Sequence, residues 1–296
     1  IWIVPVVNPD GVFAHLEVSR RSGRKNGRGL KPADLGDTRP RGVDLNRNYP
    51  FRWNASARLD PSRPPSSGAR GHHQYRGPSG GSEPETQAMM KVARTERFAA
   101  ALSIHDGNTT LLYPYTIDGV EQPQPHVAKS IGEALAKDLQ HPHVPKGEVF
   151  EARRQIYPVE GTDQDWFFHA CGTQAFLLEG ARFSPLNLGG RRRVVRLMRV
   201  VWQRLLQRVV EGPRISGVVV DRRGRPIKGA EVRIREIRRK AQERWTSRKR
   251  DGRFDRFVAS PGRYHVDVRA KGYRPRTRAV RVKTAPRFLK FVLVEE

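Results

Sequence analysis

The sequence predicts an α/β layer domain followed by a small all-β sandwich, and three observations carry that prediction. Up to about residue 210, apolar runs of strand length alternate with segments of helical period. After Glu211-Gly212-Pro213 the pattern changes to short runs separated by turn dipeptides at 8–15-residue spacing. Charge divides at the same place: residues 1–212 hold 30 basic and 21 acidic side chains, residues 213–296 hold 26 and 9. Domains are therefore expected over 1–211 and 213–296, and 296 residues suit two.

The elements follow in order. Residues 1–7, IWIVPVV, read as a buried strand that ends in the turn signal Asn8-Pro9-Asp10-Gly11. Residues 19–42 and 50–81 are rich in Gly and Pro and lack periodicity, so both read as long loops. Ser82 is expected to cap a helix running to about Arg97, with Glu85 closing a capping box. Phe98–Ile104 reads as a buried strand leading into His105, and Leu111–Tyr115 as a short strand. Val127–Leu139 is a helix, Gln174–Leu178 a strand leading into Glu179, and Arg191–Val210 a long helix with Arg on one side and apolar residues on the other. In the tail, strands are expected at Ile215–Val220, Ala230–Ile237, Arg253–Ala259, Gly262–Ala270, Thr277–Lys283 and Phe288–Val294.

Composition excludes several classes. No stretch approaches 18 consecutive apolar residues, so no helix is expected to span a membrane. No repeat period is present, and the single cysteine, Cys171, excludes an internal disulfide and reads as a small buried residue. The net charge of +26 favours anionic partners such as nucleic acid, acidic lipid or cell-wall polymers. No nucleic-acid-binding motif accompanies it, and Trp245, Phe254, Phe257, Tyr264 and Tyr273 read as core of the sandwich.

Some residues suggest chemistry. His105 and Glu179 follow apolar strands, the end at which open α/β sheets place ligands. A histidine there either ligates a metal or is structural; a carboxylate there has a partner charge or serves as a base. Asn46-Arg47, next to Asp44, suits a planar anion, since guanidinium pairs with carboxylate in a two-bond fork, or it is a surface loop. Arg24-Lys25 could aim positive charge at a developing oxyanion. Tyr157, in the loop 156–162, could close over a bound molecule or pack as a loop aromatic. His72-His73 and His141-x-His143 lie in Gly- and Pro-rich loops and read as loop residues rather than metal tracts.

Taken in order, these motifs form a series. Asn8-Pro9-Asp10-Gly11, Arg24-Lys25-Asn26, Gly42 to Asn48, Tyr75-Arg76-Gly77-Pro78 with Ser82 to Thr86, Ser103-Ile104-His105, Tyr113-Pro114-Tyr115, Ile156-Tyr157, Asp165-Trp166 and Phe176 to Glu179 resemble the zinc carboxypeptidase family, with its A/B and N/E branches. The resemblance covers residues 1 to about 210 and implies a mixed-sheet catalytic domain. It implies one Zn²⁺ with His105 as the third ligand, and Glu179 as the general base that later protonates the leaving amine. It implies Arg24 on the scissile carbonyl, Asn46 and Arg47 on the substrate's free C-terminal carboxylate, and Tyr157 capping the bound residue. Asp44 would orient a zinc-ligating histidine from behind. Gln164 would lie at the base of the specificity pocket; it and Gly107 look more like the N/E branch, whereas Tyr75 to Thr86 look more like the A/B branch. Thr116 stands where basic-specific relatives tend to carry Asp, so a preference for C-terminal Lys or Arg is not supported. The tail, from Ile215-Ser216-Gly217 to Gly272-Tyr273, resembles the transthyretin-like, regulatory-like sandwich of the N/E branch.

The sequence also departs from the family. None of the nine histidines is followed by Glu three residues on, so the family's His-x-x-Glu ligands are missing. The chain starts at Ile1 with no basic n-region or cleavage site of a signal peptide, and it is read as an N-terminally truncated fragment, inactive on its own. The competing reading is a non-catalytic homologue that binds carboxylates or polyanions. The resemblance further implies peptide substrates, a secreted or periplasmic location, and an anionic cell-envelope surface as a partner for the basic tail.

Overall fold

The computed structural model describes residues 1–17, 23–29, 41–55, 65–139, 150–181, 187–243 and 245–296. Two compact units form. The first comprises Ile1–Val92, Thr116–Asp118 and Tyr157–Trp166; the second comprises Ala93–Tyr115, Gly119–Ile156 and Phe167–Glu296.

In the first unit, residues 1–7 form no strand. They are exposed, Ile1 and Ile3 being 96% and 80% accessible, and they pair with no strand among the described residues. A strand exists only where a neighbour takes its backbone groups, which explains why an apolar run alone misled. Asn8-Pro9-Asp10-Gly11 is not a free turn but the start of helix α1 (Pro9–Glu17). The Asn8 side chain accepts from the Gly11 amide at 2.9 Å, and Pro9 occupies the first helical position, where its missing N–H costs nothing. The same logic moves the start of α2 (Pro84–Glu96). The Glu83 carbonyl receives the first helical bond, from Gln87. Glu83, not Ser82, is therefore the cap, with Pro84 next. A 3₁₀ turn spans Leu45–Arg47, capped by Asp44.

The second unit holds a four-stranded mixed sheet in the order β1-β4-β2-β3. Its strands are β1 (Ala100–His105), β2 (Thr110–Leu112), β3 (Ala152–Arg153) and β4 (Gln174–Glu179). β1 runs parallel to β4 with His105 opposite Glu179, and β2 pairs antiparallel with β4. β4 is buried on both faces through Ala175, Phe176, Leu177 and Leu178. Helix α3 (Val127–Ala136) packs on the sheet with Ile131 and Leu135, and α5 (Leu188–Glu211) buries Val194, Leu197, Val201 and Leu205, a 3–4-residue period. Helix α4 (Asp163–Cys171), which the sequence did not signal, carries the chain into β4.

Six strands follow: β5 (Arg214–Val220), β6 (Glu231–Ile234), β7 (Arg253–Phe257), β8 (Gly262–Ala270), β9 (Tyr273–Val282) and β10 (Arg287–Val292). They make two three-stranded sheets, β10-β5-β7 and β6-β8-β9. Ile215, Val219, Val232, Phe254, Val266, Val268 and Phe291 fill the space between them, while Phe257, on the other face of β7, lies under Arg208 and Arg214. Trp245 differs from the expected core aromatics. It is buried against α4, donating from its indole nitrogen to the Phe168 carbonyl at 2.9 Å and stacking edge-on with the Phe168 ring. Gly172 makes room for it: with φ at +73°, a Cβ there would stand 2.7 Å from the indole. Buried Glu243 accepts from the Tyr115 hydroxyl at 2.8 Å, adding a polar link at the same junction.

Candidate active site

The first unit gathers six of the sequence-selected residues. Arg47 ends the 3₁₀ turn and is 3% exposed. Its Nε donates to the Pro65 carbonyl at 3.0 Å, Nη1 to the Asn46 carbonyl at 2.7 Å, and Nη2 to the Tyr157 hydroxyl at 3.1 Å. Three of its five N–H donors are thus tied, which fixes the guanidinium plane and leaves one N–H on each terminal nitrogen. Beside it, the Asn46 Oδ1 accepts from the Asp163 amide at 2.9 Å, so the side-chain NH₂ is the end left to donate. Gly161 allows this approach, since at φ +64° a Cβ would collide with the Arg47 carbonyl.

Asp44 braces the turn from below. One carboxylate oxygen accepts from the Asn46 amide at 3.1 Å, and the other from Arg24 Nε at 2.6 Å. Arg24 therefore enters the site as half of an ion pair, with its side chain 37% exposed. Lys25 does something other than face an oxyanion. It is buried and its Nζ donates to the carbonyls of Arg70 and His72, at 2.7 and 3.1 Å, while burial lowers its pKa. That fastens the loop carrying His72, His73 and Gln74. The two histidines stack on each other; the His73 pKa is lowered, first by burial and then by its neighbours His72 and Arg24. Gln74 Nε2 reaches the Tyr157 hydroxyl at 3.4 Å, so Tyr157 is held at its tip although 43% exposed.

Gln164 lies on the first turn of α4, 2% exposed. Its side-chain carbonyl is buried and finds no donor among the described residues, an arrangement that costs free energy unless something else supplies one. The next residue, Asp165, is fully enclosed. It accepts from the Thr116 amide at 3.0 and 2.9 Å and from the Thr116 hydroxyl at 2.9 Å. Burial nonetheless dominates and pushes its pKa up to about 7.

Sequence reasoning missed the polar frame beneath this surface. Asn26 donates to Glu83 at 2.8 Å and accepts from the Val43 amide at 2.9 Å. Asn48, fully buried, donates to the Arg76 and Ser79 carbonyls and the Ser82 hydroxyl and accepts from the Glu83 amide. Glu160 takes the Ser66 hydroxyl, and Arg76 lies 3.8 Å away. Asn26 and Glu83 were visible as motif letters, but no spacing rule pairs residues so far apart.

The second unit brings together the other two. His105 and Glu179 end adjacent parallel strands as register partners, and the bonds Gly180 N to His105 O (2.9 Å) and Gly107 N to Ala181 O (2.7 Å) continue the ladder past them. Among the described residues no three His, Cys, Asp or Glu side chains cluster as a metal site, so the residues present do not by themselves fit a zinc centre. His141 and His143 lie outside the described residues.

Residues 1–184 match the zinc carboxypeptidase family model, and residues 214–293 match the carboxypeptidase regulatory-like domain. Metallocarboxypeptidase A of Arthroderma otae is 31% identical over 171 residues, covering 56% of this chain and 37% of that protein. Carboxypeptidase B of Rattus norvegicus is 28% identical over 169 residues with the same coverage. The chain thus spans about 37% of the length of these curated relatives. Among solved structures, carboxypeptidase A from Helicoverpa armigera aligns with a TM-score of 0.51 at 21% identity, over 68% of this chain and 50% of that one. Bovine thrombin-activatable fibrinolysis inhibitor, in complex with tick carboxypeptidase inhibitor, gives 0.50 at 20%, over 69% and 67%. These last two likenesses concern the fold. With an ordered motif series, a mixed sheet ending in His105 and Glu179, and a family model matched over residues 1–184, the chain belongs to the zinc carboxypeptidase family.

Proposed function

We infer that the protein acts as a metallocarboxypeptidase, removing the C-terminal residue of peptides, and that this chain supplies the carboxylate clamp and the proton-carrying base. The observation that carries the reading is the Arg47–Asn46 pair. A buried guanidinium locked by three bonds, with one N–H left on each terminal nitrogen, matches the two oxygens of a terminal carboxylate. The Asn46 NH₂, oriented by the Asp163 amide, adds a neutral donor. Tyr157, bonded to Arg47, is the residue we assign to lie against the bound residue. Arg24, whose Nε is held by Asp44, is the residue we assign to the scissile carbonyl. Glu179 is the candidate to take a proton and hand it to the departing amine.

When bound, a zinc ion would supply Lewis-acid activation of the carbonyl and of water. His105 is the one ligand we assign. The described residues do not complete a three-ligand set, and no step is derived through the metal. The unsatisfied Gln164 carbonyl supports a preference for C-terminal residues whose side chains carry an N–H or O–H donor. We assign residues 1–211 to the catalytic domain and 213–296 to a transthyretin-like sandwich. Its net charge of +17 supports attachment to an anionic envelope surface outside the cell. No helix among the described residues is long and apolar enough to cross a membrane.

The test is calorimetric titration with N-acetyl-asparagine and with its C-terminal amide. The free acid binds and the amide does not, and Arg47→Ala abolishes the difference. Equal binding of acid and amide would remove the clamp. The alternative, a carboxylate-binding homologue that does not cut, shares that result. It is separated by incubating the full-length protein with zinc and a peptide and looking for release of the C-terminal amino acid.

A further inference from the structure

One strongly one-sided surface among the described residues is in the sandwich. Residues 273–292, spanning β9, its turn and β10, contain seven basic and no acidic residues. β9 is an edge strand whose Arg274, Arg276 and Arg278 are all exposed. They share one face and, at two residues per step, their Cα atoms stand about 6.8 Å apart in a line. Two are held in place. Arg276 Nη1 donates to the Val292 carbonyl at 2.7 Å, and Arg278 Nη1 to the Lys290 carbonyl at 3.4 Å. Each spends one N–H on the edge of β10 and keeps four. Arg281, further along, stands directly opposite Arg263 on β8, a like-charge pair that disfavours the sheet. The nearby Asp267, on the other face through Thr277, is already matched by Arg235 at 2.8 Å, so it does not neutralise the row.

We propose that the β9–β10 edge is a docking surface for a linear, base-free phosphodiester polymer, whose phosphates sit along the row Arg274, Arg276 and Arg278. The proposal deepens the envelope-attachment reading, on which it rests, by naming the strand and the chemistry. A line of arginines of which two are fixed suits a polymer that lies along it, because each guanidinium can meet one phosphate and only Arg274 has to be ordered. A bilayer would call for a two-dimensional basic patch with several apolar anchors, and the edge offers one exposed large apolar side chain, Phe288. A single-stranded nucleic acid would call for aromatic rings beside the charges to stack its bases. Beside the row stand only the half-buried Tyr273 at its start and Phe288 on β10, with no ring between successive arginines.

The experiment titrates the intact chain with a fluorescent abasic phosphodiester 12-mer over a series of salt concentrations. The wild type binds, and Arg274→Gln/Arg276→Gln/Arg278→Gln weakens it at least tenfold at low salt. The slope of log K against log salt should fall by about 2, since a single-strand phosphate contact contributes about 0.7. Arg274→Gln alone keeps both bonds to β10, and it should lower the slope by about 0.7, which guards against misfolding of the triple variant. The control removes three charges from α5: Arg191→Gln/Arg192→Gln/Arg196→Gln should bind like the wild type. If the α5 variant weakens binding as much as the β9 variant, the edge proposal fails and diffuse attachment by net charge survives. If the 12-mer does not bind, both fail. Binding of oligothymidine far tighter than the abasic strand would reassign the surface to nucleic acid, and binding only to anionic vesicles would reassign it to lipid.

Discussion

Asp165 should make the stability of this chain fall as pH rises. Its carboxyl group is enclosed and its pKa is pushed up from 3.8 to about 7, burial outweighing the Thr116 amide and hydroxyl. A group whose folded pKa is raised this way holds its proton more tightly in the folded chain than in the unfolded one. The stability it contributes is therefore complete below pH 4 and lost as pH rises through 7. The shift is about 3 units, and at 1.36 kcal/mol per unit the loss is about 4 kcal/mol. Asp165→Asn removes the titration but replaces an acceptor with NH₂, which costs about 1 kcal/mol against the Thr116 donors. The two curves should cross. At pH 4 the wild type is the more stable by about 1 kcal/mol, and at pH 8 the variant is the more stable by about 3 kcal/mol. Urea unfolding followed by tryptophan fluorescence at several pH values reads both, and subtracting the curves cancels every other titrating group. A variant less stable at every pH would refute the reasoning. It would mean that the donors around Asp165 outweigh its burial and hold the carboxylate ionised.

Three further outcomes are expected. Gln164→Met fills nearly the same volume without the unsatisfied carbonyl, so the free protein should gain about 1 kcal/mol while N-acetyl-asparagine binds more weakly; thermal melts and titration check the two halves. Gly161→Ala places a Cβ against the Arg47 carbonyl at a left-handed φ, and should cost 2 kcal/mol or more (roughly) while weakening carboxylate binding through the displaced guanidinium. Trp245→Ala should cost about 3–5 kcal/mol in thermal or urea unfolding, from a cavity and the lost bond to Phe168, whereas Trp245→Phe should cost less than half of that.

Much of the second unit was legible because burial there follows a simple period. The apolar residues of α5 recur every three or four positions, and β4 is an unbroken apolar run of a strand covered on both faces. All six tail strands follow from alternation and turn dipeptides. Helix α4 escaped because it opens with Asp163-Gln164-Asp165 and continues with Trp166, Phe167 and Phe168, too short and too one-sided to display a helical period. The run at 1–7 and the Asn8–Gly11 turn failed for opposite reasons. The first depends on a partner strand that no pattern can supply, and the second on the competition between a turn and a capped helix, which Pro9 decided. At the site, the residue types around Arg47 were visible in advance. What holds them was not: Lys25, Asn26 and Asn48 act on carbonyls and carboxylates 28 to 57 residues away in the chain.

The parallel pairing of β5 with β10 places Ile215 against Arg287 and Val220 against Val292. The first strand of the sandwich thus finds its neighbour in the last one, and hairpins made in between cannot close the sheet. During synthesis β5 waits with its edge open while more than 60 residues emerge, a delay of several seconds at typical elongation rates. Such distant pairing marks slow folding. Throughout that interval an apolar strand is available to any other nascent chain, as β1 is for a comparable stretch before β4 emerges, so both long-range parallel pairings set the window in which a chaperone has the most to do.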